Sequence, residues 1–429
     1  MLARIRTCES GVAMSIDGGP RTVVVVGAGV VGLSTAWFLQ ERGVDVTVVD
    51  RDGVASGASW GNAGWLSPGL AIPLNEPGVL RYGLRSLLDR DAPLHVPVTP
   101  DVGLWTFLTT FALRCNWKDW GRAVRANLPF NEECLEAFDV LTSNGVEAPT
   151  HDAPIMAAFQ TTRQAVALLH ELRRINDSGL EIKYAALEGD DLYAQAPQLS
   201  RTAKAGIRLD GQRYVDPGAF THALAGAVTE RGAAIRSGFR VTGVSEDRGG
   251  LTVWSDTGES VTADAVVVAT GAWLNQLAKE WGVRVPVRAG RGYSFTVPTD
   301  QPVPGPIYLP AVRVACTPYQ GKLRVAGTME FCDADAPLYQ RRVDAIIASA
   351  KPLLSGVSWE ERTDTWVGPR PVTPDGRPLI GATHVPGIYV AGGHGMWGLT
   401  HGPATGRMLA EQITTGKQPA ALREFDPTR

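Results

Sequence analysis

Apolar and polar positions change their period several times along the chain, and each change marks an element. Residues 22–26 are an uninterrupted apolar run, the pattern of a buried strand, and residues 34–42 repeat apolar positions at helical spacing before Gly43. This predicts a strand and an amphipathic helix, followed by a second strand over 46–49 that closes on Asp50. From about Arg81 the period is helical. Leu80, Leu84, Leu87 and Leu88 fall on one face, Pro129 stands at a helix start with a periodic run to Leu141, and 162–175 forms an amphipathic helix ending before Gly179. Asp216-Pro217 supplies an N-cap and a proline at the first helical position for a helix that stops at Gly232. Alternating strands follow at 239–244 and 251–254. A strand over 263–269 has a continuously apolar stretch from Ala265 to Ala269, as in a parallel sheet covered on both faces, and returns the chain to the first domain. Strands at 293–297, 312–317 and 322–328, separated by Pro/Gly turns, read as antiparallel. A last strand runs into glycines at 387–393, and a helix is expected over 402–415.

The turn between the first strand and helix reads Gly27-Ala28-Gly29-Val30-Val31-Gly32. In that setting each glycine has a physical job: Gly27 permits the tight turn, Gly29 lets backbone approach a pyrophosphate, and Gly32 lets helix pack closely on strand. The helix start offers free N–H groups and a positive dipole end to phosphate. Asp50, about 20 residues on, can accept from ribose hydroxyls. An adenine dinucleotide is implied. The segment 56–65, Ser-Gly-Ala-Ser-Trp-Gly-Asn-Ala-Gly-Trp, is too glycine-rich for a regular element and reads either as a second cofactor-facing loop or as a surface turn.

Composition removes several classes of function. With 429 residues a two-domain enzyme is the natural expectation, and a net charge of −3 gives no basic field for nucleic acid. The five cysteines (Cys8, Cys115, Cys134, Cys316, Cys332) contain no CxxC pair, so neither a zinc site nor a disulfide framework is expected, and a reducing cytoplasmic setting fits. His394 and His401 lack carboxylate or thiolate companions, so no metal is expected. Residues 1–21 read as a flexible leader in which Met14 is an alternative start, and nothing approaches the ~20 apolar residues of a membrane span. Residues 104–113, followed by Trp117, Lys118, Trp120 and Arg122, read as a core-facing helix, with peripheral contact at the inner face of a membrane as the alternative.

With these motifs assembled, the chain resembles the D-amino-acid oxidase superfamily of FAD-dependent amine oxidoreductases, and within it the bacterial D-amino-acid dehydrogenases. The matching blocks run in family order from about residue 22 to the C-terminus: the glycine turn; 59–64 with 67–69; Gly292-Tyr293-Ser294; 323–328; Gly368-Pro369-Arg370-Pro371-Val372-Thr373-Pro374-Asp375-Gly376; and Gly393-His394-Gly395. The resemblance implies an α/β fold: a Rossmann-like FAD-binding domain of glutathione-reductase type, with a mixed or antiparallel-sheet substrate domain carrying a helical insertion. The corresponding division assigns 22–80, 206–285 and 363–429 to the FAD domain, and 81–205 and 286–362 to the substrate domain.

It also implies contacts to FAD from Gly27, Gly29, Val30, Val31, Gly32, Asp50 and Arg51, from Ser59, Asn62, Ala63 and Gly64, and from Val241, Gly271 and Trp273. Near the C-terminus it adds Arg370, Gly393, Gly395, Gly398, Leu399 and Thr400. Sarcosine-type relatives tether flavin through a cysteine near the segment that here spans 370–376; this chain has none there, so FAD is expected to be non-covalent. Arg370 is the expected carboxylate-binding residue, since guanidinium matches carboxylate bidentately; the alternative is a structural arginine paired with Asp375. The substrate-binding tyrosine of the oxidases has no counterpart in 312–317, which leaves Tyr293 or Tyr319 as replacements, with Tyr293 either hydrogen-bonding the carboxylate or packing in the sheet. His394 lines the flavin or is an ordinary loop histidine, with a general-base role as the less favoured reading. The implied reaction is oxidative deamination of D-amino acids by hydride transfer from Cα to flavin N5, with a quinone or oxygen as acceptor. Glycine or sarcosine oxidation, and a non-catalytic flavoprotein scaffold, are the other readings.

Overall fold

The computed structural model describes residues 19–86, 92–97, 99–247 and 250–429. Most of the expected leader, with Met14 and Cys8, lies outside them, as do Leu87, Leu88 and the side chain of Leu84.

Two sheets organise the described residues. The first has six strands in the order Ala234–Arg236, Asp45–Val49, Thr22–Val26, Ala265–Val268, Ile388–Gly392 and Leu379–Ala382. Neighbours are parallel except the last pair. Val23 and Val25 pack into a core with helices Val30–Glu41, Pro217–Glu230 and Gly398–Thr415, while Val24 and Val26 face the three-stranded sheet of Leu251, Val253 and Ala263. Both faces are covered, which is why these strands read as continuous apolar runs.

Glycine sets the closest approaches. A Cβ at Gly32 would stand 2.0 Å from the Gly27 carbonyl oxygen, and one at Gly406 would stand 2.5 Å from Ser34 backbone, so helices Val30–Glu41 and Gly398–Thr415 pack backbone to backbone. Asp216 caps the helix Pro217–Glu230 as expected, its Oδ1 accepting from the Ala219 N–H at 3.0 Å.

The second sheet has nine strands among the described residues. Its path runs Thr363–Val372, Arg288–Val297, Lys322–Phe331, Val314–Tyr319, Ile307–Leu309, Ile155–Phe159, Ala205–Leu209 and Tyr184–Glu188, with Leu94–His95 added beside Lys322–Phe331. Helix Gln340–Ala350 lies against one face, its Val343 and Ile346 in a core with Phe295 and Val325.

Three expectations are corrected. The first helix is not amphipathic: from Val30 to Leu39 nearly every residue is buried, because it is covered by the sheet and by neighbouring helices. Pro129 does not start a helix but sits inside Trp117–Ser143, which begins where Asn116 Oδ1 accepts from the N–H groups of Lys118 and Asp119. Burial of Trp120, Val124, Phe130, Cys134, Phe138 and Leu141 outweighs the backbone bond a proline forgoes. Helix Val102–Arg114 does face a core, with Leu104 and Phe107 buried and Leu108 and Phe111 packed against them, while Val102 and Leu113 stand exposed at 76% and 73%. No helix among the described residues is long and apolar enough to cross a membrane. Finally, Thr363–Val372 joins the nine-stranded sheet, whereas Phe130, Phe138 and Leu141 of the helical insertion belong to the core of the six-stranded one. Sequence order alone does not show which sheet a segment packs on.

Candidate functional site

A cavity of about 370 Å³ opens where the C-terminal ends of the parallel strands meet the second sheet. Ligands of open α/β sheets bind at such strand ends. On the first side it is bordered by Gly27, Gly29, Val30, Val31, Asp50 and Arg51. The loop after the second strand contributes Ser59 and Asn62, and Val241, Gly271 and Trp273 close the same side. Gly398 and Leu399 approach from the start of the last helix, and Gly395 from the loop before it. The segment 56–65 is therefore a cavity wall rather than a surface turn.

This wall fits an adenine dinucleotide. Gly27 has φ 116°, and a Cβ there would fall 2.5 Å from the Ala269 carbonyl oxygen. The helices Val30–Glu41 and Gly398–Thr415 both point N-termini at the cavity. Neither N-cap side chain accepts a hydrogen bond and neither first turn holds an acidic residue; Ser59 Oγ accepts from the Val30 N–H at 3.0 Å, and the positive dipole ends still favour phosphate or another anion. Asp50 accepts from Ala28 N–H at 2.8 Å and from the N–H groups of Asp52 and Gly53 at 2.9 Å, which fixes its carboxylate at the ribose end of the fingerprint. Arg51 lies 3.9 Å over the Trp273 ring and pairs with Asp52 and Asp335.

Other expected cofactor residues support the wall without bordering it. Gly32 allows the helix to pack on the glycine turn. The Ala63 carbonyl accepts from Thr317 Oγ1 at 2.6 Å, and Gly64, at φ 74°, donates to Asn62 Oδ1 at 2.8 Å. Thr400 Oγ1 donates to the Trp65 carbonyl at 3.0 Å, and Gly393, at φ 77°, turns the chain beside Thr373. These residues set the shape of both loops.

The second sheet supplies the other wall through Ala326, Trp366, Pro369 and Arg370. On Thr363–Val372, positions 366, 368 and 370 share a face, paired with Ser294, Gly292 and Gly290. Arg370 is half-buried, and its Nη1 donates to the Thr328 carbonyl at 2.7 Å. Thr328 has φ 57°, a left-handed conformation costly for a β-branched residue, within the segment that faces the guanidinium. Burial lowers the Arg370 pKa to about 10, so it remains a cation at neutral pH. No carboxylate among the described residues pairs with it. Asp375 is engaged by Arg377 at 2.8 Å and by Arg429 at 3.2 Å, which removes the structural-pair alternative.

Neither tyrosine fits a substrate role. Tyr293 borders the cavity, but it pairs with Val367 on the opposite face from Arg370, in the core with Phe295, and its O–H donates to Glu330 Oε2 at 2.7 Å. A proton committed to a carboxylate cannot also be given to a substrate carboxylate. Burial, then Glu330, raises its pKa. Glu330 is held in turn by Arg342 at 3.2 Å. Tyr319 does not border the cavity; its ring carries the Arg324 guanidinium at 3.7 Å. His394 does border it, with Nε2 3.0 Å from Thr405 Oγ1, and burial lowers its pKa to about 4. It is neutral at physiological pH and too weakly basic for a general base.

The residue that sequence reasoning missed is Trp366. It stands on the same strand face as Arg370, and a period of two counted back from Arg370 would have found it.

A family model described as FAD dependent oxidoreductase matches residues 22–412. A protein named D-amino acid dehydrogenase from Cereibacter sphaeroides is 32% identical over 403 residues, covering 91% of each chain. Among solved structures, glycine oxidase from Geobacillus kaustophilus superposes with a TM-score of 0.72 at 22% identity, covering 96% of this chain and 98% of that one. L-alpha-glycerophosphate oxidase from Mycoplasma pneumoniae, solved with FAD bound, does so with a TM-score of 0.70 at 18% identity, covering 95% and 98%. At these identities the solved structures speak to the fold alone.

Proposed function

We propose that this chain, which belongs to the FAD dependent oxidoreductase family, oxidises D-amino acids to 2-oxo acids and ammonia. The observation that carries this reading is Arg370: a half-buried cation at the cavity wall whose hydrogen-bond partner among the described residues is a backbone carbonyl. Any ligand that covers this cation must supply a counter-charge, because burying an unpaired charge is costly, and a carboxylate supplies one bidentately.

Gly27, Gly29, Asp50 and the loop 59–64 would hold FAD, which would supply a two-electron oxidant for the substrate's Cα–H; the resulting imine would be hydrolysed by water. The chain's part is placement. Pro369 and Pro371 fix the backbone on either side of Arg370, so the guanidinium is aimed before substrate arrives. The carboxylates bordering the cavity, Asp50 and Asp52, stand beside the glycine turn, away from Arg370. A substrate amine near the guanidinium therefore meets no anion to hold its proton, and desolvation favours the neutral amine that hydride transfer requires. Electrons leave to a quinone or to oxygen.

The test is anaerobic reduction of the bound flavin by a panel of D- and L-amino acids, glycine and N-methylglycine. Bleaching by D-amino acids and not by their L-enantiomers supports the reading. Reduction by glycine or N-methylglycine alone moves the assignment to secondary or unsubstituted amines, and no bleaching by any amine removes it.

A further inference from the structure

The geometry points to Trp366 as a positioning residue, an indole spacer that sets the gap between the cofactor loop 59–64 and the strand bearing Arg370. The inference rests on the reading of Arg370 as the carboxylate site. Trp366 borders the cavity, and its ring is wedged between two glycines from distant parts of the chain. A Cβ at Gly61 would stand 2.2 Å from its Cδ2, and a Cβ at Gly368 would stand 2.1 Å from its Cη2 and Cζ2. Neither glycine has positive φ, so the backbone does not demand glycine; the indole does.

The ring therefore runs along Thr363–Val372 from position 366 over position 368, towards Arg370, with Gly61 packed on its inner edge. Ser294, the cross-strand partner of Trp366, donates from Oγ to the Gly61 carbonyl at 2.5 Å and fixes the loop on that seat. Gly61 and its neighbours Ser59 and Asn62 border the cavity on the cofactor side, and Arg370 borders it on the other. The thickness of one indole thus separates the groups that hold cofactor from the group that orients substrate. A misplacement of about 1 Å between reacting groups can cost on the order of 100-fold in rate.

The test uses Trp366→Phe and Trp366→Leu with Gly61→Ala in both backgrounds, measuring FAD affinity by titration of the apoprotein and anaerobic flavin reduction by D-alanine. The spacer role predicts that both Trp366 variants retain FAD and keep half-saturation within about threefold. Their reduction rate per bound flavin falls tenfold or more. Gly61→Ala, which collides with the indole, weakens FAD binding at least tenfold in the parent but is tolerated, or restores rate, beside Trp366→Leu. Such sign reversal reports direct coupling. An unchanged rate per bound flavin in both Trp366 variants, or equal effects of Gly61→Ala in the two backgrounds, overturns the proposal. Arg370→Leu in parallel separates the two readings: if its half-saturation is unchanged, the carboxylate assignment fails, whereas the Gly61–Trp366 coupling in FAD affinity stands or falls by itself.

Discussion

The guanidinium of Arg370 occupies the space that a side chain at Gly292 would fill. A Cβ there would lie 2.0 Å from Nη2 and 2.1 Å from Cζ. Glycine is required on the neighbouring strand so that the cation can lie flat against the sheet and face the cavity. Gly292→Ala should therefore reproduce much of an arginine deletion while leaving Arg370 in place. The expected outcome is a rise of at least tenfold in the D-amino acid needed for half-saturation, with FAD occupancy retained, read by anaerobic titration.

Tyr293→Phe should behave differently. Its hydroxyl serves Glu330, so half-saturation should change less than about threefold. The variant leaves a buried carboxylate short of one donor, which costs about 1–3 kcal/mol. Thermal or denaturant unfolding measures that loss. A large rise in half-saturation with unchanged stability would return Tyr293 to the substrate.

The fold was legible wherever one period governed one element. Valine runs announced the buried parallel strands, Asp216-Pro217 announced its helix, and the glycine turn announced the cofactor wall. Helix Trp117–Ser143 was misread because Pro129 resembles a start signal, while the true cap, Asn116, lies upstream and the helix is held by tertiary burial. Within the site, Arg370 was legible because its motif is local. Trp366 was not, since its role depends on Gly61 and Gly368, which only the fold brings to one ring. Tyr293 stays open between substrate and sheet packing in the sequence because register shifts on its strand conceal which face each residue takes.

Replacing Asp50 by Ala should weaken FAD binding at least tenfold with little effect on amino-acid preference. The carboxylate holds the N–H groups of Ala28, Asp52 and Gly53 as well as standing at the ribose end, and each charged hydrogen bond is worth about 1.5–3 kcal/mol. Full flavin occupancy after extensive dialysis would contradict this.

Stability should fall on acidification below the ordinary histidine range. Burial lowers His394 to about 4, and burial with the charge of His394 lowers His401 to about 3, against an unfolded value near 6.5. Between those limits the unfolded chain binds more protons than the folded one, so stability is fully present above about pH 6.5 and declines as pH falls towards 4 and 3. Each unit of depression is worth about 1.4 kcal/mol. Denaturant unfolding from pH 7 to pH 4 should show this slope, and His394→Gln should flatten it.

The most direct measurement is an anaerobic titration of bound flavin with D-alanine in the parent, Arg370→Leu and Arg370→Lys. Removing one member of a buried charge pair costs about 2–5 kcal/mol, so half-saturation should rise roughly 30-fold or more in Arg370→Leu, with FAD still bound. Arg370→Lys should recover charge without the bidentate geometry and fall between the two. Wild-type half-saturation in Arg370→Leu would contradict the account, because the substrate carboxylate would then bind elsewhere.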